Sequence, residues 1–287
     1  MSVLFKQMAV VGVGLIGGSL AKAVKERKLA GEVLGVGRQE GRLQRAQEQG
    51  IIDDYSARVN GALREADLVV VATPVGVIVD LIREMVPFLK KGCIITDVGS
   101  VKKKVVDKVE EFIPGSLYFV GSHPIAGTEN SGFEASIPTL FEGRKCIITP
   151  VETTNSHALE KVKELWTRVG ATVVCMDGDT HDEVLAAVSH LPHIVAYSMV
   201  NSLLAIEGFE ETIFSFSAGG FEDFTRIAAS HPEMWRDIAL MNKDKLLAAI
   251  KLFQDYLNEL KEAIAKEDAE KLCAEFEKSR RFKKLMQ

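Results

Sequence analysis

Residues 9–23 read AVVGVGLIGGSLAKA: a β-branched apolar run breaks into glycines and then becomes an amphipathic helical pattern. Gly12, Gly14 and Gly17 fit G-x-G-x-x-G, with a strand before and a helix after, which is the context that gives the motif meaning. The first glycine permits the tight turn. The second lets the backbone approach a pyrophosphate, and the third lets the helix lie against the strand. The helix opens at Leu15 and Ile16, whose N–H groups have no partner within the helix and favour an anion. This stretch predicts a Rossmann-type dinucleotide-binding fold. Its glycines also interrupt the apolar N-terminal run, so it does not read as a signal peptide.

Outward from the loop, short apolar runs recur at 33–36, 68–72, 93–97, 118–120, 146–149 and 172–175, after the first at 8–11. Helical patterns lie between them at 15–27, 42–49, 75–89, 101–112 and 157–169. Near-continuous apolar strands alternating with helices predict a mostly parallel sheet covered on both faces. Beyond about 177 only helical periodicity remains, at 182–206, 222–229, 233–241, 243–264 and 268–285. The fold class expected is α/β, with a Rossmann domain over 1–176 and an all-α domain over 177–287. Within 243–264, Leu246, Ile250, Phe253, Leu257, Leu260 and Ile264 follow the four–three spacing of a coiled-coil seam. That seam serves either an intrachain core or a homodimer.

The chain has 287 residues, 47% hydrophobic and 26% charged, with a formal net charge of −5. Such a surface argues against nucleic acid as the partner. No stretch reads as long enough to span a membrane. Cys93, Cys146, Cys175 and Cys273 are scattered, with no C-x-x-C pair. They predict reduced thiols, a cytoplasmic location and no metal site.

The acid that usually holds an NAD ribose belongs at the end of the second strand. Gly37 stands there, followed by Arg38. NAD and NADP both stay open, since Arg38 suits either a 2′-phosphate or the adenine face. The segment 120–132, VGSHPIAGTENSG, follows a strand and reads as a shaped loop holding His123. A neutral imidazole there can take a proton near pH 7. In DVGSVK, Ser100 either meets a ligand or caps the following helix. His181, Asp182, His190 and His193 cluster near the domain junction. Asp223 and Arg226 suit a local ion pair, from which the arginine fork can hold a carboxylate.

Together VGVGLIGGSLA, ATPV at 72–75, DVGSVK, GSHPIAGTE, SHLPH at 189–193 and GGFEDFTRIA resemble the prephenate dehydrogenases of tyrosine biosynthesis, in order and along essentially the whole chain. The resemblance implies oxidative decarboxylation of prephenate, or of arogenate, with NAD or NADP. It implies His123 as the catalytic histidine and Ser100 near the substrate hydroxyl. Glu129 and Asp182 match acids at the site entrance, and His193 matches a substrate contact. Arg226 matches the carboxylate-binding arginine, with Asp223 and Trp235 as neighbours. Cofactor contacts fall to Gly12, Gly14, Leu15, Ile16, Gly17, Arg38, Thr73 and Pro74. The family also implies helical dimerisation. The sequence ends at Gln287, which is expected to leave no room for a fused mutase or regulatory domain, so any feedback control would act at the active site itself. A β-hydroxyacid dehydrogenase-like or pyrroline-carboxylate-type reductase is the rival reading. In the β-hydroxyacid enzymes a lysine is expected on the first interdomain helix, where this sequence has His190 and His193. A non-catalytic redox sensor would need neither His123 nor Arg226.

Overall fold

The structure, a computed structural model, describes residues 3–128, 130–206 and 219–285. Eight strands form one sheet: β1 (Phe5–Val11), β2 (Ala30–Val36), β3 (Asp54–Ser56), β4 (Leu68–Val71), β5 (Ile94–Asp97), β6 (Tyr118–Pro124), β7 (Lys145–Thr149) and β8 (Thr172–Cys175). Their order is β3-β2-β1-β4-β5-β6-β7-β8. The chain reverses its direction of sheet growth between β1 and β4, where doubly wound sheets leave a crevice for a dinucleotide.

Alternation along the strands builds two cores. Met8, Val10, Val33 and Val70 bury on one face with Trp166. Ala9, Val11, Leu34 and Val71 bury on the other with Ile78 and Val105. The flanking helices are α1 (Leu15–Glu26), α2 (Glu40–Glu48), α3 (Ile78–Met85), α4 (Lys103–Glu110) and α5 (Ser156–Arg168). The sequence pattern missed β3, three residues too short and polar to show a period.

All pairings are parallel except β6 with β7. Strand β6 changes partner midway. Tyr118–Val120 run parallel to β5, while Gly121–Pro124 run antiparallel to β7. His123 therefore sits on a strand opposite Ile147, not in the loop expected.

The helices that follow are α6 (Gly178–Leu185), α7 (Leu191–Leu204), α8 (Gly219–Thr225) and α9 (Pro232–Met241). A π-helical turn, Ala186–His190, joins α6 to α7. Pro192 lacks an N–H and its ring crowds the carbonyl four residues back, which a widened turn accommodates. The helical run Gly178–Leu204 reaches the length and mean hydropathy of a membrane span, which the sequence reading had not found. Two of its polar side chains, His181 and Asp182, bond to groups of the sheet half, as shown below. Gly219 and Gly220 open α8.

Packing divides the chain into two compact units, Met1–Asn242 and Lys243–Gln287. The first includes α6–α9, because Trp235 and Ile238 of α9 bury in the same core as Val75 and Ile78. The second unit is an α-helical pair, α10 (Lys243–Ala265) and α11 (Ala269–Leu285), with Lys278 Nζ 5.5 Å from the Tyr256 ring centroid.

Candidate active site

The glycine loop has the geometry its sequence implied. Gly12 has φ +97°, and a Cβ there would stand 2.5 Å from the Ala72 carbonyl oxygen. A Cβ on Gly17 would stand 2.2 Å from the Gly12 oxygen. No side chain fits either position. Gly14 caps α1 and has nothing within 4 Å of where its Cβ would be. That open space lies at the helix N-terminus beside the β1/β4 switch point, so the residues fit a pyrophosphate. Leu15 and Ile16 form the first turn, Thr73 and Pro74 follow β4, and Arg38 lies exposed after β2. Gly37 places no carboxylate at the ribose position.

At the carboxyl ends of β5 and β6 a different structure begins. Asp97 and Lys102 are both fully buried and form an ion pair. Asp97 also accepts from Gly99 N–H at 2.9 Å and from Ser122 N–H at 3.2 Å. Lys102 Nζ donates to the Ser122 carbonyl at 3.0 Å. Lining up so many bonds on one pair meets the cost of taking both charges out of water. In DVGSVK the sequence assigns a role only to Ser100, though a charged residue closing the apolar strand IITD is the available signal for Asp97.

His123 is the next residue of β6. Its exposure is only 9%. Burial pushes its basicity far below the usual imidazole value, and the nearby His181, Lys102 and His190 add to that. The ring is therefore neutral at pH 7. His123 Nδ1 lies 2.9 Å from His181 Nε2. His181 Nδ1 lies 2.7 Å from Asp182 Oδ1.

The resemblance implies Asp182 as an acid of the site entrance. That residue is buried, and its carboxylate accepts Lys102 N–H at 2.8 Å and Lys103 N–H at 3.0 Å. Those amides open α4, and leaving them bare inside the protein would be costly. Asp182 thus supplies the cap that Ser100 was one candidate to supply. Ser100 is half-buried in the turn before α4 and makes no cap bond to it.

The helical wall comes from α7 and α9. His193 stacks on Trp235 with centroids 3.6 Å apart and planes 22° apart. Its Nδ1 donates to the Ser189 carbonyl at 2.9 Å. Burial lowers its basicity, and the charge of Arg226 lowers it further. Arg226 opens a 3₁₀ turn, Arg226–Ala229, and is exposed, as is Asp223 on α8. His190 is buried against Trp235, with its Nδ1 3.1 Å from Asn242 Nδ2. Asn242 donates from the same nitrogen to the Asp182 carbonyl at 2.8 Å. Burial lowers the His190 pKa to about 4. His190 Nε2 and Trp235 Nε1 are buried without a hydrogen-bond partner. Glu129 lies outside the described residues. Among the described residues no cluster of potential ligands could hold a metal ion.

Residues 20–175 match the family described as prephenate dehydrogenase, nucleotide-binding domain, and residues 177–278 its dimerization domain. The prephenate dehydrogenase of Bacillus subtilis is 37% identical over 95% of this chain and 74% of its own. The cyclohexadienyl dehydrogenase of Zymomonas mobilis is also 37% identical, over 96% of this chain and 94% of its own. Among solved structures, Aquifex aeolicus prephenate dehydrogenase, complexed with hydroxyphenyl propionate and NAD+, superposes with a TM-score of 0.91. It is 38% identical over 99% of this chain and 98% of its own. Synechocystis arogenate dehydrogenase has a TM-score of 0.82 at 25% identity, over 98% of this chain and all of its own. The 3-hydroxyisobutyrate dehydrogenases, at 11–12% identity, share the fold alone. A glycine cradle fit for a dinucleotide, a buried histidine at the sheet edge and matches covering both halves of the sequence make this chain a member of the prephenate dehydrogenase family, an NAD-dependent oxidoreductase.

Proposed function

We propose that the chain converts prephenate to 4-hydroxyphenylpyruvate by oxidative decarboxylation, with His123 as general base. The observation that carries this is the neutral, buried His123 imidazole at the carboxyl edge of the sheet, where ligands of such sheets bind. Bound NAD supplies the acceptor for the hydride on ring C4. His123 takes the proton of the C4 hydroxyl as that hydride leaves. Loss of the ring carboxylate as carbon dioxide returns its electron pair to the ring. The ring becomes aromatic, and the proton held on His123 goes back to the phenolate oxygen.

The remaining roles follow position. The first turn of α1, at Leu15 and Ile16, with Thr73 and Pro74, holds the dinucleotide, and Arg38 lies against its adenosine end. Arg226 offers a cation for a substrate carboxylate, with Asp223 beside it in sequence. The stacked pair His193–Trp235 forms a flat wall suited to the ring. Ser100 faces the substrate hydroxyl. Functionally the chain divides at 1–176 and 177–287, a reading supported by the separate nucleotide-binding and dimerization domain matches over 20–175 and 177–278. It acts as a homodimer through its C-terminal helices. Phe253, Leu257 and Ile264 are 38%, 54% and 62% exposed in the single chain, and that seam needs a cover. A monomer mass in light scattering contradicts this. Four free thiols suit the cytoplasm.

Turnover with prephenate and arogenate, each with NAD and NADP, tests the assignment and ranks the two substrates. His123→Asn should lower kcat roughly a hundredfold or more, the usual worth of a general base. NAD binding, read by fluorescence, should persist. Near-normal kcat in that variant rules His123 out as base.

A further inference from the structure

His123, His181 and Asp182 form one buried chain, with exposures of 9%, 0% and 3%. The proton positions follow by elimination. A carboxylate has only acceptors to offer, so His181 Nδ1 must donate to Asp182. Burial keeps His181 neutral, so its Nε2 carries a lone pair. His123 Nδ1 must then donate to that lone pair across 2.9 Å. His123 is left with a bare Nε2, the nitrogen that has to receive a proton.

The charges point the same way. A protonated His123 would be a cation in a dry site that already holds Lys102. Asp97 is engaged by Lys102. His190 faces the site as a neutral ring. Asp182 is the carboxylate left to offset the new charge, and it reaches His123 only through His181.

We propose that His181 and Asp182 are positioning residues that hold His123 as its Nδ1–H tautomer and stabilise the imidazolium formed during turnover. This rests on His123 being the base. One proton moves: the substrate O–H bond breaks and a bond to His123 Nε2 forms. The protons on His123 Nδ1 and His181 Nδ1 stay where they are. The arrangement shares its logic with the Ser-His-Asp triad, in which the carboxylate orients the ring and does not become protonated.

The tautomer can be read without catalysis. Long-range proton–nitrogen correlation spectra of the full chain, labelled with ¹⁵N-histidine, distinguish protonated from bare ring nitrogens. The His123 signal is the one lost in His123→Asn. It should show a proton on Nδ1 and none on Nε2. A wild-type His123 protonated on Nε2 overturns the proposal, whatever the variants do.

Kinetics supply the second arm. In Asp182→Asn the amide can donate to His181 Nδ1, which reverses both rings and leaves His123 protonated on the wrong nitrogen. A loss of kcat on the order of 10⁴ is expected, as for the equivalent change in a serine protease triad. His181→Leu should lower kcat roughly a hundredfold with KM for NAD little changed, while His181→Gln, whose amide oxygen can accept from His123, should recover part of it. Folded His181→Leu with normal kcat, beside an inactive His123→Asn, overturns the relay alone. Normal kcat in both variants overturns the assignment of the base itself.

Discussion

The two ends of the site are built in opposite ways. The dinucleotide end is made of backbone: Gly12, Gly14 and Gly17 lie within six residues and act by what they lack. The proton-handling end is made of side chains from β5, β6, the entry to α4, α6 and the π turn, brought together over separations of 20 to 80 residues. Local constraint is written locally, so the first end can be read from a string. The second depends on pairings no local pattern encodes. The same contrast governs how each should fail. A change in the loop alters what binds, whereas a change in the cluster alters both chemistry and stability.

The largest effect should come from the cluster's ion pair. Lys102→Met leaves Asp97 buried with an uncompensated charge. Breaking such a pair by removing one partner costs roughly 3–5 kcal/mol. Chemical denaturation should show that loss, and adding Asp97→Asn should return part of it. A Lys102→Met protein as stable as the parent would show that the pair carries no structural weight. That would erase the contrast with the loop.

A second, smaller effect concerns acid. Burial lowers the His190 pKa from 6.5 to about 4. The unfolded chain therefore binds a proton that the folded chain refuses between those values. Stability contributed by the neutral ring is complete above about pH 6.5 and is lost as pH falls toward 4. The loss is on the order of 3 kcal/mol. Denaturation midpoints at pH 7 and pH 4.5 measure it. His190→Leu should flatten that dependence, because the leucine has no proton to bind. An unchanged slope in the variant would assign the acid sensitivity to other groups.

How much of this was legible varies with distance along the chain. The glycine loop, seven of eight strands and the boundaries of most helices follow from period and punctuation. The strand β3 did not, because Asp54, Tyr55 and Ser56 sit at the sheet edge where burial imposes no pattern. The glycine- and proline-rich neighbourhood of His123 reads as loop, whereas His123 lies on a strand. Its backbone bonds are made to β7, more than twenty residues on. The resemblance supplied Asp182 with a place at the entrance. Its carboxylate also bonds the α4 amides and His181, a use visible only once α4 and α6 meet. Lys102 was hidden for the same reason, since a lysine in a polar turn reads as surface until Asp97 is found beneath it.

The smallest expected effect lies at the dinucleotide end. Gly37 follows the second strand, where an acid would bond the NAD ribose and repel a 2′-phosphate. A Cβ at Gly37 would meet only the Leu43 side chain, at 3.6 Å, an ordinary contact, so Gly37→Asp should fold without strain. The new carboxylate would face the ribose beside exposed Arg38, in partial solvent, where a charge contact is worth little more than 1 kcal/mol. NADP use should fall by about tenfold while NAD use changes by no more than about twofold. The quantity to measure is the ratio of kcat/KM for the two cofactors at saturating prephenate. Stability should not move, unlike in either cluster variant. Equal loss with both cofactors would mean that position 37 does not face the ribose. A marked loss of stability would mean that the two ends are not separable, and that the backbone-built loop depends on side-chain packing after all.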